Sequence, residues 1–247
     1  MVLEGKVAIV TGGGQGIGKR YCRGLAGEGA KVVVADLAED KAKEVAAEVD
    51  GTAMRVDCAN EDSVKQMAAS ALDAYGRVDI LINNAAIFTE VLPRKSFDEI
   101  PVDEWDKVMA VNVRGVWLCC KALAPVFKQQ RSGVIVNISS GTILGGTPGF
   151  MHYVTSKGAV WAMSRCLANE LGEYGVRVNC ITPGLTSSER AKQVYDQRDF
   201  EDRAQARLFK REQQPEDLVG TMIFLCSDAS RFVTGQTFNV DGGANMH

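Results

Sequence analysis

The sequence is poor in residues that bind metals. Its only histidines are His152 and His247, and none of its seven cysteines forms a C-x-x-C pair. A protein zinc site usually needs about four nitrogen, sulfur or carboxylate ligands brought together, so we expect no bound metal. An odd number of cysteines, with Cys119 and Cys120 adjacent, is typical of reduced thiols in a cytoplasm.

Excess charge and long apolar runs are also missing. Lys and Arg number 28 against 31 Asp and Glu, a formal net charge of -3. This balance gives no reason to expect binding to nucleic acid or to an anionic membrane. The first residues lack a basic segment, and their apolar run VAIV soon meets glycines, so we expect neither a signal peptide nor a spanning helix. We therefore expect a cytoplasmic protein that acts on a small molecule.

No internal repeat and no Pro/Gly-rich linker divides the 247 residues, of which 46% are hydrophobic. We therefore predict one domain over residues 1–247. Short β-branched runs alternate with longer amphipathic segments, as in repeated βα units. The runs VAIV, KVVVA and GVIVNI are apolar without alternation, which is typical of strands covered on both faces.

These patterns predict an α/β fold built on a single Rossmann-type, doubly wound parallel sheet of about seven strands, with helices on both faces. The predicted strands are Lys6–Thr11, Lys31–Ala35, Ala53–Val56, Ile80–Asn83, Val134–Ser139, Arg177–Ile181 and Thr237–Val240. The predicted helices are Ile17–Glu28, Asp40–Val49, Glu61–Tyr75, Val102–Phe127, Tyr153–Tyr174 and Pro215–Cys226.

The segment 185–214 interrupts this pattern. It is dense in charges of both signs, and Tyr195, Phe200, Leu208 and Phe209 lie among them. Two interpretations remain open, because the segment fits a solvated helical excursion and also a mobile substrate lid after the carboxyl end of a strand.

A glycine-rich loop, TGGGQGIG at 11–18, follows the first predicted strand and opens a helix. Glycines let the backbone turn tightly and approach a pyrophosphate, whose charge is met by amides at the helix N-terminus. The spacing of Gly12, Gly16 and Gly18 differs from the common G-x-G-x-x-G fingerprint, so the loop alone is a weak signal.

Asp36 strengthens the signal because it ends the second apolar run, VVVAD. A carboxylate there accepts hydrogen bonds from the adenosine ribose hydroxyls and repels a 2′-phosphate. Neither Gln15 nor Leu37 supplies a compensating positive charge, so we predict NAD rather than NADP. The alternative is a solvated acid at a strand end.

A second motif joins a serine, a tyrosine and a lysine. Ser139 and Ser140 end a predicted strand, and Tyr153 and Lys157 lie four residues apart, on one face of a helix. Lowering a tyrosine pKa from near 10 to about 7 needs roughly 4 kcal/mol. A cation about 4 Å away, at an effective dielectric near 20, supplies roughly that energy. We therefore predict that Lys157 lowers the pKa of Tyr153 and makes the phenol a usable acid or base.

Taken in order, these motifs resemble the short-chain dehydrogenase/reductase family of the single-domain type, and the similarity spans essentially the whole chain. The motifs that carry it are TGGGQGIG, Asp36, Asp57, NNAA at Asn83–Ala86, Asn112, Ser140, Tyr153, Lys157 and Pro183-Gly184. Two departures are NNAA in place of the more usual NNAG, and LTSS at 185–188 in place of an aliphatic residue and threonine.

The resemblance implies roles for individual residues. Tyr153 would be the general acid/base, Ser140 would hold the substrate oxygen, and Lys157 would also grip the nicotinamide ribose. Asn112 would anchor a water in a proton relay. The cofactor contacts implied are Gly12, Gln15, Gly16, Ile17, Gly18, Asp36, Leu37, Asp57, Cys58, Asn84, Ala85, Tyr153, Lys157, Pro183, Gly184 and Thr186. A homotetramer would pair the helices Val102–Phe127 and Tyr153–Tyr174 with their copies.

We therefore predict an NAD-dependent alcohol dehydrogenase/ketone reductase. The stretches 86–93 and 142–151 are mainly apolar, which favours a hydrophobic secondary alcohol, aromatic alcohols included, and its ketone. A 3-oxoacyl thioester reductase and a sugar or polyol dehydrogenase are alternatives; the former usually takes NADPH, against which Asp36 argues. A non-catalytic NAD-binding sensor and a purely structural tetramer are alternatives of another class. His152 either contacts the substrate beside Tyr153 or is partly exposed at a helix start, and Trp105, Trp117 and Trp161 are expected to pack helices rather than bind a ligand.

Overall fold

Seven parallel strands form one sheet in the order β3-β2-β1-β4-β5-β6-β7. The structure is a computed structural model that describes residues 1–246, so His247 lies outside the described residues. The strands are β1 (Val7–Thr11), β2 (Lys31–Asp36), β3 (Thr52–Arg55), β4 (Ile80–Asn83), β5 (Gly133–Ile138), β6 (Val176–Pro183) and β7 (Thr237–Val240). The predicted seven-stranded parallel sheet is confirmed.

The chain order of the strands reverses between β1 and β4. Open parallel sheets bind ligands in the crevice at such a point, outside the carboxyl ends of the strands. The glycine-rich loop follows β1, and the NNAA stretch follows β4. The topology therefore brings two of the sequence motifs to the same crevice.

The helices within the described residues are α1 (Gly16–Gly27), α2 (Glu39–Glu48), α3 (Glu61–Tyr75), α4 (Val102–Met109), α5 (Gly115–Gln130), α6 (Thr142–Gly145), α7 (Met151–Leu171), α8 (Gln197–Ala206) and α9 (Val219–Cys226). A π-helical turn, Ala110–Arg114, joins α4 to α5. Sequence patterns placed most boundaries within three residues. They did not predict α6 or the interruption of the long helix.

Helices cover both faces of the sheet. Ile9 contributes to a core that includes Leu123 and Phe127 of α5, whereas its neighbours Ala8 and Val10 contribute to a second core with Tyr21 of α1. Successive side chains of a strand point to opposite faces, so β1 supplies both cores. This double burial explains why the strands are apolar without alternation. Cys119 and Cys120 are buried in the first core.

The helical run Val102–Gln130 has a mean hydropathy of 1.3 over 18 residues, which meets the length and composition of a membrane span. In the structure, 44% of that window is buried, and Leu118 and Leu123 pack in the core. Core helices of α/β proteins have the same composition. On its outer side Trp117 is 46% exposed, and Trp161 of α7 is 37% exposed, so neither ring is fully packed between helices of this chain.

The segment 185–214 contains a short 3₁₀ turn, Ala191–Gln193, and the helix α8. Asp196 caps α8, because its side chain accepts a hydrogen bond from Asp199 N at 2.9 Å and the Asp199 side chain accepts one from Asp196 N at 3.0 Å. Phe200 and Ala204 of this helix are buried. The segment is thus an amphipathic helix laid over the strand ends rather than a fully solvated excursion.

Candidate active site

A cavity of about 640 Å³ lies at the carboxyl ends of the strands. Its size is within the usual range of small-molecule sites, about 300–1,000 Å³. The predicted site residues that line it are Gly12, Gln15, Gly16, Ile17, Asp36, Leu37, Asp57, Cys58, Asn84, Ala85, Ser140, Tyr153, Lys157, Pro183, Gly184 and Thr186. Gly18 and Asn112 are the two predicted residues that do not line it.

The glycine-rich loop forms one end of the cavity. Gly12 and Gly16 have φ of 63° and 56°, a region that residues with a Cβ rarely adopt. A Cβ at Gly12 would lie 2.9 Å from Ala85 Cα, and one at Gly18 would lie 2.0 Å from Gly12 O. Gly18 therefore does not face the cavity; it allows α1 to pack against the loop. The free amides of the first turn of α1 remain at the mouth of the loop.

Asn84 braces this loop from β4. Its Nδ2 donates hydrogen bonds to the main-chain oxygens of Thr11 and Gly12, both at 3.1 Å. In return Thr11 Oγ1 accepts hydrogen bonds from Asn84 N at 3.1 Å and from Ala85 N at 3.2 Å. The amide group of the Asn84 side chain thus hydrogen-bonds the loop. Ala85 borders the cavity, and so does Ala86, whose methyl group replaces the glycine of the more usual NNAG.

Asp36 is buried at the end of β2. Its Oδ2 accepts a hydrogen bond from Gly14 N at 2.9 Å, and its Oδ1 accepts one from Ala38 N at 3.0 Å. These bonds fix the carboxylate against the loop and leave it at the cavity wall. It is thereby placed to accept further hydrogen bonds from ribose hydroxyls.

The sequence patterns did not indicate that Lys41 lies next to the glycine-rich loop. Lys41 Nζ donates a hydrogen bond to Gln15 Oε1 at 2.7 Å. A Cβ at Gly14 would lie 3.0 Å from Lys41 Cβ and 3.1 Å from Asp36 Oδ2, so the lysine and the carboxylate flank the same glycine. Lys41 lies in the first turn of α2, five residues beyond Asp36, and this position was the only sequence signal for it.

Asp57 and Cys58 follow β3 and also border the cavity. Asp57 Oδ1 accepts a hydrogen bond from Ala59 N at 2.9 Å, and Asp57 N donates one to Ser63 Oγ at 3.0 Å. The aspartate therefore shapes the turn that leads into α3. Together with Asp36 on the neighbouring strand, it places both unpaired carboxylates of the cavity at the β2–β3 end.

The two serines after β5 have different surroundings. Ser139 Oγ donates a hydrogen bond to the main-chain oxygen of Lys157 at 2.7 Å, which fastens β5 to α7. Ser140 Oγ accepts hydrogen bonds from Thr142 N at 3.2 Å and from Thr142 Oγ1 at 3.0 Å. Ser140 borders the cavity, and neither bond with Thr142 uses its own proton.

Tyr153 and Lys157 are both buried on α7. Lys157 Nζ donates a hydrogen bond to the main-chain oxygen of Ile138 at 2.8 Å and lies 5.7 Å from the centre of the Tyr153 ring. Burial raises the pKa of Tyr153 above its usual value, and the Coulombic effect of Tyr195 raises it further, while a hydrogen bond with the Ser140 side chain lowers it. Burial lowers the pKa of Lys157 to about 8.

The net shift of the Tyr153 pKa in the chain alone is upward, opposite to the direction that the sequence predicted. Burial removes water from the phenolate, and this is the largest cause of the raised pKa of Tyr153. The same burial discourages the positive charge on Lys157. The chain by itself therefore keeps the phenol protonated.

Asn112 lies in the π-helical turn and is fully buried. Its Oδ1 accepts a hydrogen bond from Ile87 N at 2.7 Å, and its Nδ2 donates to Ile87 O and Ser156 Oγ, both at 3.1 Å. Ser156 Oγ in turn donates to Tyr153 O at 2.7 Å. Asn112 thus ties the loop after β4 to the helix that carries Tyr153. Its part in a proton relay stays a prediction.

An aromatic wall, which sequence reasoning identified only as an apolar stretch, surrounds Tyr153. The Phe150 ring stacks on the Tyr153 ring with centroids 4.6 Å apart, and the Phe88 ring lies 5.4 Å from it. Tyr195, from the 185–214 segment, stacks on Phe88 at 6.0 Å. All four rings border the cavity. The contact across more than 100 residues between Phe88 and Tyr195 depends on tertiary packing and has no local sequence signal.

The expectation that His152 is partly exposed is wrong. The imidazole is 1% exposed, because α4 and the loop before it cover the start of α7. Its Nε2 lies 3.0 Å from Glu104 Oε1, and the Lys95 ammonium pairs with the other carboxylate oxygen. His152 does not border the cavity, so it supports the α7 start and has no contact with a ligand there.

Comparison with known proteins agrees with this architecture. Residues 12–245 match the family model described as enoyl-(acyl carrier protein) reductase. The chain is 36% identical over 254 residues to short chain dehydrogenase/reductase astE of Aspergillus oryzae, covering 99% of this chain and 96% of that protein. It is 34% identical over 249 residues to the 3-oxoacyl-[acyl-carrier-protein] reductase FabG of Thermotoga maritima, covering 98% and 99%.

A similar solved structure is the 3-ketoacyl-(acyl-carrier-protein) reductase from Brucella melitensis complexed with NADH. It is 33% identical, has a TM-score of 0.92, and the similarity covers 99% of this chain and 100% of that one. The matched residues include the glycine-rich loop, the strand ends and α7. The chain therefore belongs to the short-chain dehydrogenase/reductase family of oxidoreductases.

Proposed function

We propose that the protein is an NAD-dependent enzyme that interconverts a hydrophobic secondary alcohol, aromatic alcohols included, and its ketone. The observation that supports this most directly is the aromatic wall of Phe88, Phe150 and Tyr195 around the Tyr153 ring. A substrate whose reacting oxygen reaches Tyr153 must pass along these rings. Apolar and aromatic groups lose little hydration there and gain contact area.

The cavity fits a nicotinamide dinucleotide. The glycines of the loop carry no side chain that would block a pyrophosphate, and no side chain caps the first-turn amides of α1, which can bind it. Asp36 offers carboxylate oxygens to ribose hydroxyls and repels a 2′-phosphate, which favours NAD. When bound, the dinucleotide supplies the hydride acceptor or donor and, in its oxidised form, a positive charge. The Brucella melitensis relative was solved with NADH, which agrees with this proposal.

The chain's own residues handle the proton. Ser140 Oγ donates a hydrogen bond to the substrate oxygen, and Tyr153 gives that oxygen a proton in reduction or takes one from it in oxidation. Because burial raises the pKa of Tyr153, the protonated form needed for reduction dominates at neutral pH. Oxidation requires additional positive charge beside the phenol, and Lys157 is the side chain placed to share in it.

Lys157 and Asn112 complete the proposed catalytic set. The Lys157 ammonium is held at the end of β5 by Ile138 O, within reach of the cavity. Asn112 fixes the start of the loop that carries Phe88 and braces Ser156 next to the catalytic turn of α7. A proton relay from Tyr153 through Lys157 to solvent, with a water held near Asn112, is part of the proposal.

We also infer a single-domain, cytoplasmic homotetramer in which the segment 185–214 covers the substrate. Half-exposed Trp117 and Trp161 on α5 and α7 are suited to pairing with copies of those helices, because large exposed aromatic surfaces usually mark interfaces. Sedimentation equilibrium tests the assembly. A monomer at micromolar concentration would contradict it.

The main alternative is a 3-oxoacyl thioester reductase, which is favoured by the names of several relatives. A panel of substrates separates the proposals: 1-phenylethanol and aliphatic secondary alcohols, sugar alcohols, and a 3-oxoacyl thioester, each with NAD(H) and NADP(H). We expect the apolar secondary alcohols, or their ketones, to give the highest kcat/KM with NAD(H). A thioester or polyol that wins tenfold, or a preference for NADPH, would overturn the proposal.

A non-catalytic NAD-binding sensor, and a purely structural tetramer, would show no turnover with any member of the panel. The sensor alone would still bind NADH in a fluorescence titration.

A further inference from the structure

The cavity is lined by more positive than negative side chains, although the chain has a formal net charge of -3. Its cations are Arg94, Lys107, Lys157, Arg190, Arg203 and Arg207, and its carboxylates are Asp36, Asp57 and Glu90. Glu90 is paired with Arg190. The other two carboxylates follow β2 and β3, so the opposite end of the cavity has an excess of positive charge.

Two of these cations come from one face of α8 and its C-terminal cap. Arg203, Ala206 and Arg207 border the cavity, and residues three and four apart lie on the same side of a helix. Among the described residues, no carboxylate lies within 4.0 Å of either guanidinium. We call Arg203 and Arg207 the arginine subsite.

Arg207 is only 3% exposed. Its Nη2 donates a hydrogen bond to Leu185 O at 2.6 Å and its Nη1 donates to Arg211 O at 3.1 Å, while its buried Nε has no acceptor in the described part of the chain. A buried charge is costly unless an opposite charge compensates it. Burial lowers the pKa of Arg207, whereas Asp241 and Asp217, which lie beyond 4.0 Å from the guanidinium, raise it and compensate the charge only in part. An anion beside this guanidinium would recover part of that cost.

The arginine subsite is at the substrate end of the cavity. Leu185, which Arg207 holds, follows β6, and Gly141 N donates a hydrogen bond to Pro183 O at 2.8 Å, so this loop adjoins Ser140. Asp36 follows β2, four strands away in the sheet, a distance of roughly 19 Å at the usual strand spacing. An anion at Arg207 is therefore near the reacting oxygen and far from the adenosine end.

We propose that Arg203 and Arg207 bind an acidic group carried by the substrate, a carboxylate or a phosphate attached to its apolar body. The planar guanidinium matches both anions with paired hydrogen bonds, and the aromatic wall accommodates the apolar part between that group and Tyr153. This inference rests on the proposed function, because it names the substrate class for the same site.

The test compares matched ketones in NADH-dependent reduction: 4-acetylbenzoate, 4-acetylphenyl phosphate and the uncharged 4-acetylbenzamide. We expect at least one of the two anions to have a kcat/KM tenfold or more above that of the amide, mainly through a lower KM. The anion with the higher value identifies carboxylate or phosphate. An amide equal to or better than both anions would overturn the inference and leave the proposed function intact.

A binding measurement distinguishes failure of the arginine subsite from failure of the proposed function. Calorimetry on the protein saturated with NAD⁺, which has no hydride to transfer to a ketone, measures the same three ligands, and we expect a Kd for the preferred anion at least tenfold below that of the amide. Preferential binding of an anion with no reduction of any ketone, acetophenone included, would support the arginine subsite and refute the proposed function. Equal Kd values would refute the subsite whatever the activity.

Variants locate the effect. Arg203→Gln and Arg207→Gln are each expected to reduce the anion-to-amide ratio of kcat/KM at least fivefold. Arg207 also hydrogen-bonds the main chain at Leu185 and Arg211, so its variant risks misfolding. Arg203 is exposed and makes no such bond in the described residues. Arg203→Gln therefore remains a usable test. Arg198→Gln is the matched control, because Arg198 lies on α8 but does not border the cavity. Wild-type ratios in both Arg203→Gln and a folded Arg207→Gln would contradict the inference.

Discussion

The ammonium of Lys157 lies 5.7 Å from the centre of the Tyr153 ring, one turn along the same helix. A hydrogen bond to Ile138 O fixes the ammonium at the end of β5, so its position relative to the phenol is set by the sheet as well as by the helix. Burial shifts the pKa of each group against its charged form. At neutral pH the phenol of Tyr153 is therefore uncharged, and the amine of Lys157 titrates at a pKa of about 8.

This arrangement predicts the pH dependence of ketone reduction. Tyr153 stays protonated through the neutral range because burial raises its pKa, whereas Lys157 loses its positive charge as the pH rises through about 8. The charged form of Lys157 exists below that pKa, so kcat/KM for an uncharged ketone should be level near pH 6–7 and fall at higher pH. Each further pH unit should cost about tenfold if only the protonated form is active.

Steady-state rates of acetophenone reduction by NADH across pH 6–10 measure this profile. Lys157→Arg serves as the comparison, because a guanidinium keeps its charge throughout this range. Its rate should be lower, but the decline near pH 8 should vanish. A wild-type profile that stays level to pH 10 would show that the charge of Lys157 has no part in reduction.

Tyr153→Phe removes the proposed proton donor and leaves the ring in its stack with Phe150. We expect kcat to fall by about 10²–10⁴, the usual contribution of a positioned general acid, while the Kd for NADH changes less than about threefold. Tyr174→Phe is the control, since that ring lies beneath Lys128 and Arg131 on the surface. An active Tyr153→Phe variant would rule out the proposed chemistry.

The parts of this site that the sequence predicted are those determined by neighbours along the chain. The glycine-rich loop, Asp36 and the Tyr153/Lys157 pair each occupy a strand end or a helix turn, and parallel topology alone brings them to one crevice. The burial of Tyr153 could not be predicted in the same way. It depends on Phe88, which reaches the phenol from the loop after β4, as well as on Phe150 at the start of α7. This burial reverses the expected direction of the pKa shift.

Long-range polar contacts also could not be predicted from sequence patterns. His152 pairs with Glu104 across 48 residues, and Arg190 reaches Glu90 across 100. Lys41 approaches Gln15 because α2 and the glycine-rich loop meet over Asp36. No periodicity or spacing rule relates such residues, since their proximity arises only after the sheet has assembled.

Two glycines of α1 should respond oppositely to alanine. A Cβ at Gly18 would lie 2.0 Å from Gly12 O, whereas a Cβ at Gly27 would meet nothing within 4 Å. Gly18→Ala must displace the glycine-rich loop, so we expect the Kd for NADH to rise at least tenfold. Gly27→Ala should leave NADH binding unchanged and stabilise the protein by up to about 1 kcal/mol, through the better helix propensity of alanine. Fluorescence titration and urea unfolding measure both, and similar behaviour of the two variants would contradict the packing described for Gly18.

An ion pair joins the 3₁₀ turn Thr89–Val91 to the 185–214 segment. Arg190 donates a hydrogen bond to Thr89 Oγ1 at 2.7 Å and pairs with Glu90. Such partly exposed pairs contribute about 0–1 kcal/mol to stability, so Glu90→Gln should change Tm little. If this contact holds the segment over the substrate, KM for a ketone should rise about three- to tenfold, a loss equivalent to roughly 1 kcal/mol of binding.

Glu39→Gln is the control for this prediction, because Glu39 forms a surface pair with Lys43 on α2. It should leave KM unchanged. A Glu90→Gln enzyme with wild-type KM would show that the pair has no influence on substrate binding.

Cofactor choice should depend on the balance between Asp36 and Lys41. The wild-type carboxylate repels a 2′-phosphate, so we expect NADH to bind at least tenfold more tightly than NADPH. Asp36→Ser removes the repulsion and retains a hydroxyl that can accept from Gly14 N, while Lys41 remains beside the same glycine as a cation for the phosphate. The preference for NADH over NADPH should therefore narrow at least tenfold or reverse.

Asp40→Ser, on the exposed first turn of α2, is the control. Tighter binding of NADPH than NADH by the wild-type protein, in a fluorescence titration, would show that Lys41 already outweighs Asp36.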